Sequence, residues 1–372
     1  FDKAKALSQG NPTLRKRVEE ALQGHHVATE DSSQLVEMGR SDVALDVLAK
    51  RGDWDRLWEV AAKEHMPPAA IGKFVLMRVD ELVRTGRVED VDEAVRTIHK
   101  RPGPATEVAM SAYRRLVRSV MSRCIEEETS GSSKKGDNSA FAETVAKLRE
   151  VLYRLANQYR SNSLNKQLGP EMEELLMATH YQHMLFSSKA LGMKDIAAKC
   201  SVTLLKYPDV VPQDKAFYQA GVTCREQGNT NLAFMLLNRY VDITDAVDSQ
   251  DASFLDNTEY HDTDAIPLNG PLPKTHYLRS EDAREEVRTW VLSVVTDSNI
   301  EQRFPPREQS RNSLYEGLFN SNRPTCIVTG FPVHPADMLE VNNSVANRRD
   351  WNTYVGKSRV CPWTGAAQNP LY

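Results

Sequence analysis

Phe217-Tyr-Gln-Ala-Gly221-Val-Thr-Cys224-Arg-Glu-Gln-Gly228-Asn-Thr-Asn-Leu-Ala233-Phe-Met-Leu-Leu237-Asn-Arg-Tyr240 is the stretch that decides the fold. Small and apolar residues recur at spacings of three and four on both sides of Gly228, the periodicity of two amphipathic helices. Gly228-Asn-Thr-Asn231 joins them. Glycine ends a helix in the left-handed region, and an Asp or Asn three residues on is expected to cap the next. Gly221 and Cys224 fall on the first helix, and Ala233, Leu237 and Tyr240 on the second. Small residues at 221 and 233 let the pair cross closely, while larger ones fill the space between pairs.

Outward from this unit the same joint recurs at Gly39-Arg-Ser-Asp42, Gly52-Asp-Trp-Asp55 and Gly192-Met-Lys-Asp195. Gly52 and Gly86 are 34 residues apart, and Gly192 and Gly228 are 36 apart, a period that belongs to stacked helix pairs. The order of glycine, alanine and aromatic in 217–240 resembles a tetratricopeptide (TPR) unit. One repeat earlier, Tyr181, Leu185 and Ala197 match it in part. Residues 48–62, with Trp54 and Trp58 packing between helices, resemble the degenerate helical pairs of coat and ciliary transport proteins. The expectation is a mainly α chain: a TPR-like solenoid over 1–244, without strict TPR geometry throughout. A Ser-, Gly- and charge-rich stretch near 126–139 reads as a flexible loop. Residues 245–273 hold seven acidic side chains and no Lys or Arg. An acidic extended linker is therefore expected over 245–280, either solvated or docked as a strap through Phe254, Leu255, Tyr260, Ile266 and Leu268. A further helix at 281–296 and a connector at 297–322 follow.

The final module, 323–372, carries one pentapeptide twice: Cys326-Ile-Val-Thr329-Gly330 and Cys361-Pro-Trp-Thr364-Gly365. A zinc knuckle would read Cys-x-x-Cys-Gly, placing two thiolates on one metal. Here the second thiolate of each pair is a hydroxyl. Cys326, Cys361 and His334, with Asp337 as a poor fourth, lack zinc spacing, so no metal or other cofactor is assigned. Cys326, Thr329, Gly330, Cys361, Thr364 and Gly365 read instead as structural knuckle residues, braced by the threonine hydroxyls. Leu339 and Val341 suit a short strand, and 348–355 a helix with Trp351, Tyr354 and Val355 on one face. This order resembles a U-box or RING domain, a small α+β fold, here without zinc. The resemblance implies that Ile327 or Val328, Trp351 and Pro362 contact ubiquitin or a ubiquitin-conjugating enzyme; the alternative is that all four pack the module's own core. Ala366 and Ala367 stand where a U-box commonly has a basic residue that helps activate the thioester. The sequence given stops at Tyr372, so the usual last helix of a U-box is not expected within it. Both features favour recognition over catalysis, and no catalytic residue is assigned.

A net charge of −4 over 372 residues gives no general drive toward nucleic acid or anionic lipid, and basic runs such as Arg15-Lys16-Arg17 are short. No apolar run approaches the roughly 20 residues that cross a bilayer, so direct membrane insertion is not expected. Five scattered cysteines fit a reducing compartment, in which a Cys326–Cys361 disulfide is not expected. His180-Tyr-Gln-His183 lacks the carboxylate of a metal motif and reads as surface and core histidine. The first residue is Phe1, which is expected of a fragment.

Leu236-Leu-Asn-Arg-Tyr-Val-Asp242, Asp262-Thr-Asp-Ala-Ile-Pro267, Arg284-Glu-Glu-Val-Arg-Thr-Trp-Val291 and Cys326-Ile-Val-Thr-Gly-Phe-Pro-Val333 carry a wider resemblance. Essentially the whole chain resembles the C-terminal portion of the intraflagellar transport protein 172 family, peripheral subunits of the IFT-B complex. That resemblance implies a scaffold of transport trains in cilium or flagellum and basal body, on the cytoplasmic side. Its partners would be other IFT-B subunits, IFT-A, and ubiquitin or a ubiquitin-conjugating enzyme. The rival implication is a ubiquitin ligase of U-box type.

Overall fold

The computed structural model describes residues 2–123, 135–161, 167–255, 257–297 and 300–372. The chain is mainly helical. Helices α1 (Asp2–Leu7), α2 (Pro12–Ala28), α3 (Ser32–Glu37), α4 (Ser41–Arg51), α5 (Trp54–Lys63), α6 (Pro68–Thr85), α7 (Val88–Lys100) and α8 (Glu107–Met121) lead into a longer set. That set comprises α9 (Lys135–Ser161), α10 (Gly169–Ala190), α11 (Lys194–Leu204), α12 (Gln213–Gln227) and α13 (Thr230–Ser249), each packed on the next. The loop expected near 126–139 falls mostly outside the described residues, and α9 already begins at Lys135.

The joints are made by glycine, with a difference in the cap. Gly52 and Gly228 end α4 and α12 at φ 73° and 93°, and the next amide closes five residues back, Asp53 N–H to Leu48 O and Asn229 N–H to Cys224 O. The residue directly after glycine then caps the following helix: Asp53 Oδ1 accepts from Arg56 N–H and Asn229 Oδ1 from Leu232 N–H. Asp42, Asp55 and Asp195 are therefore not the caps expected of them. They lie in the first turn, where a carboxylate faces the positive helix end. The left-handed turn uses one residue, and the helix restarts at once.

At the 217–240 unit the close crossing is tight. A Cβ on Gly221 would lie 2.5 Å from Leu237 Cγ. Trp54 and Trp58 stack at 6.1 Å between centroids.

Helix α13 runs on to Ser249, past the point where the acidic linker is expected to begin. The strap beyond it lies against the helices. Tyr260 is buried, donates its hydroxyl to Met235 O and meets Phe217 edge-on. Ala265 N–H bonds Leu318 O, and the buried Asp214 carboxylate accepts Tyr277 N–H at 2.7 Å. The strap's apolar side chains, Ile266 included, go down while Asp262 and Asp264 stay in water. Helix α14 (Glu281–Val295) packs on α13, and a 3-10 turn at Leu314–Leu318 packs on α11.

The last residues form an antiparallel pair, β1 (Met338–Val341) and β2 (Ser344–Asn347), followed by α15 (Arg348–Ser358). One apolar core runs from Val75 on α6 to Trp363, so the final module shares its interior with the helical array. Two smaller clusters, around Leu35 and around Trp54, serve α3 to α6.

Candidate functional site

The two pentapeptides fold alike, bond for bond. Cys326 N–H reaches Phe331 O and Gly330 N–H returns to Cys326 O, both at 2.8 Å; Cys361 N–H reaches Ala366 O and Gly365 N–H returns to Cys361 O at 2.8 and 2.9 Å. Gly330 and Gly365 take φ 78° and 73°, where a side chain is strained. Thr329 Oγ1 accepts from Phe331 N–H, and Thr364 Oγ1 from Ala366 N–H. Bridges between Thr325 and Pro332 and between Val360 and Ala367 close each loop. The hydroxyl thus satisfies a backbone donor two residues on.

Each thiol has its own amide partner. Cys326 Sγ accepts from Asn347 N–H, and Cys361 Sγ from Thr364 N–H and Asn342 Nδ2. Burial pushes the Cys326 thiol up, with Asp350 adding to it. His334 lies between Arg323 and Glu316 instead of facing either thiol. Among the described residues no three His, Cys, Asp or Glu side chains gather as metal ligands would.

The first knuckle sits on α10 and α11, which read its main chain residue by residue. Tyr181 Oη donates to Cys326 O (3.3 Å), His180 Nε2 to Ile327 O (2.7 Å), Cys200 Sγ to Val328 O (3.3 Å) and Thr203 Oγ1 to Thr329 O (2.7 Å). At the fifth position a Cβ on Gly330 would run into the Thr203 methyl group. His180 also accepts from Arg149 Nε through Nδ1, which fixes the neutral tautomer with its proton on Nε2. Burial, reinforced by Arg149, holds its pKa well below the usual imidazole value.

The second knuckle sits beside α9 and α10. The Trp363 ring lies edge-on to Tyr153 and His180 and under the Arg149 guanidinium, which also donates to Trp363 O. Helix α15 is fastened by Lys199 to Asp350 at 2.9 Å and by Ser187 to Tyr354 at 2.9 Å. Burial works against charge on Lys199, but Asp350 and Asp195 outweigh it and raise its pKa.

The expected contact residues come together, but inside. Val328 and Trp351 are 0% exposed, Ile327 6%, and Pro362 is buried. Of the knuckle residues, Thr329 and Gly330 are buried while Thr364 and Gly365 face solvent. Sequence reasoning missed the other half of the site: Arg149, His180, Tyr181, Lys199, Cys200 and Thr203. Their only signal was polar residues on the inner faces of helices, which periodicity records as interruptions of a core stripe.

This geometry defines a helical-repeat protein with a small two-knuckle module seated on its array. No protein-family model matches it. The chain is 31% identical over 319 residues to the intraflagellar transport protein 172 homolog of Mus musculus, covering 84% of this chain and 17% of that protein. It is 29% identical to the Danio rerio homolog (95% of this chain, 20% of that protein) and 27% identical to intraflagellar transport protein 172 of Chlamydomonas reinhardtii (100% and 21%). The chain is homologous to the intraflagellar transport 172 proteins across most of its length, and spans about a fifth of theirs.

Proposed function

We propose that this chain is a scaffold segment of intraflagellar transport trains in the cilium or flagellum. Its helical array, the solenoid of 1–244 with the docked strap and α14, offers extended surfaces to other train subunits of the IFT-B complex and to IFT-A. The observation that carries this reading is homology to intraflagellar transport 172 proteins over 84% to 100% of the chain. Repeat arrays bury little of their outer faces in their own fold, which suits long shared interfaces. Co-precipitation from ciliated cells tests it: the tagged chain is expected to recover IFT-B subunits, and a chain that recovers none argues against it.

The module at 323–372 is read as U-box-like, binding ubiquitin or a ubiquitin-conjugating enzyme through Ile327, Val328, Trp351 and Pro362. The matched knuckles on either side of β1, β2 and α15 support this. Knuckles held by hydroxyls need no metal to keep that shape. A ligase is the second reading, favoured by the same pairing of knuckles and helix. Such an enzyme acts by positioning a thioester. Pro362→Ala is then expected to end ubiquitin transfer in a purified assay; unchanged transfer in that variant speaks against Pro362 as the contact, and a parent chain that transfers no ubiquitin speaks against the ligase.

A further inference from the structure

The knuckle face that the proposed function assigns to a partner is already occupied within the chain. Four successive carbonyls, Cys326 to Thr329, are each taken by a side chain of α10 or α11, and the fifth residue is pressed against Thr203. These contacts read main chain, so they fix the position of the knuckle whatever side chains stand at 327 and 328. Alongside the apolar side chains of the shared core, the seat holds further polar pairs: Lys199 with Asp350, Arg149 with Trp363 O, Ser187 with Tyr354. Water can replace each of these bonds, and interfaces of this mixed character between parts of one chain commonly separate. Trp351 is fully buried and its indole N–H has no acceptor among the described residues, a group that would gain one on exposure.

We infer that α10 and α11 act as a lock in cis: ubiquitin reaches the knuckle face only when the terminal module leaves its seat, so seat and partner compete for one surface. This rests on reading the module as a binder of the ubiquitin pathway. The lock lives in residues outside the knuckles, which makes it separable by mutation. Where the seated form outnumbers the open one by about ten to one or more, freeing the module tightens apparent affinity by about that factor.

The test uses the whole chain with Lys199→Glu, which sets a carboxylate against Asp350, and separately Thr203→Arg, which fills the space against Gly330. Maleimide labelling with mass spectrometry reports opening. Cys200 and Cys326 are buried at the seat, while Cys224 is buried on α12 and reports global unfolding. The expected result is faster labelling of Cys200 and Cys326 with Cys224 protected, and at least about tenfold tighter binding of fluorescent ubiquitin. Lys199→Glu with Asp350→Lys restores the pair and is expected to return both readouts toward the parent. Open variants that bind ubiquitin no more tightly than a parent that does bind overturn the lock and leave the binding reading standing. If neither parent nor open chain binds ubiquitin, or a conjugating enzyme tried in its place, the binding reading falls and the lock with it. Should both substitutions leave Cys326 protected in a folded chain, the seat is not separable and the lock is overturned.

Discussion

At the scale of single residues the two knuckle glycines make a controlled comparison. Both hold left-handed backbone in the same hydrogen-bonded loop, but Gly365 has open space around it and Gly330 has Thr203. Gly365→Ala is expected to cost about 1 kcal/mol, the strain of the backbone alone. Gly330→Ala adds overpacking against a helix and is expected to cost on the order of 3 kcal/mol. Urea denaturation of the two variants measures the difference; equal losses would mean that the first knuckle is not pressed on α11. The histidines of α10 give a pH dependence of known sign. Burial lowers His183 to about 4, with Arg149 adding to it, and His180 lies well below 6.5. Both are neutral in the folded chain, whereas the unfolded chain takes up protons near pH 6.5. Their contribution is complete above that pH and is lost as pH falls toward 4. Between pH 7 and pH 5 each of the two is expected to take on the order of 2 kcal/mol from stability, so the drop is smaller in His183→Gln, as read by urea midpoints at the two pH values.

At the scale of elements, the helix pair is where pattern and packing agree most closely. Residues 217–240 announce two helices, a glycine joint and a small-residue crossing, and α12 and α13 cross with Gly221 under Leu237. Gly221→Ala is expected to destabilise by about 1–3 kcal/mol through overpacking. Because the clash is with one side chain, Gly221→Ala with Leu237→Ala should lose less than the sum of the two, by more than about 0.5 kcal/mol. Strict additivity in that double-mutant cycle would remove Leu237 as the cause. The caps were less legible. At Gly52 and Gly228 an Asp or Asn follows the glycine at two positions, and only the geometry of the turn decides that Asp53 and Asn229 cap while Asp55 does not. The strap shows the same limit. Its charges mark it as solvated, yet a few apolar residues between them and one carboxylate on α12 hold it to the helices.

At the scale of the whole molecule, stability is expected to be graded along the array. Helix α2 buries none of its residues, while α10 to α13 lie in the large core that continues into the terminal module. Amide exchange followed by mass spectrometry is expected to be fastest in α2 and slowest in α10 to α13. Uniform protection would contradict a graded array. The sequence by itself determined the helices, their joints and the two matched pentapeptides, because these rest on local periodicity, backbone preference at glycine and short-range hydrogen bonds. Only the tertiary structure decided what the second half of the candidate site is. The donors that read the first knuckle lie roughly 125 to 150 positions before it in the chain, and main-chain carbonyls leave no trace in side-chain identity. A carbonyl is present at every residue. Which four are taken, and whether Ile327, Val328, Trp351 and Pro362 face water or α10 and α11, depends on how the chain returns upon itself.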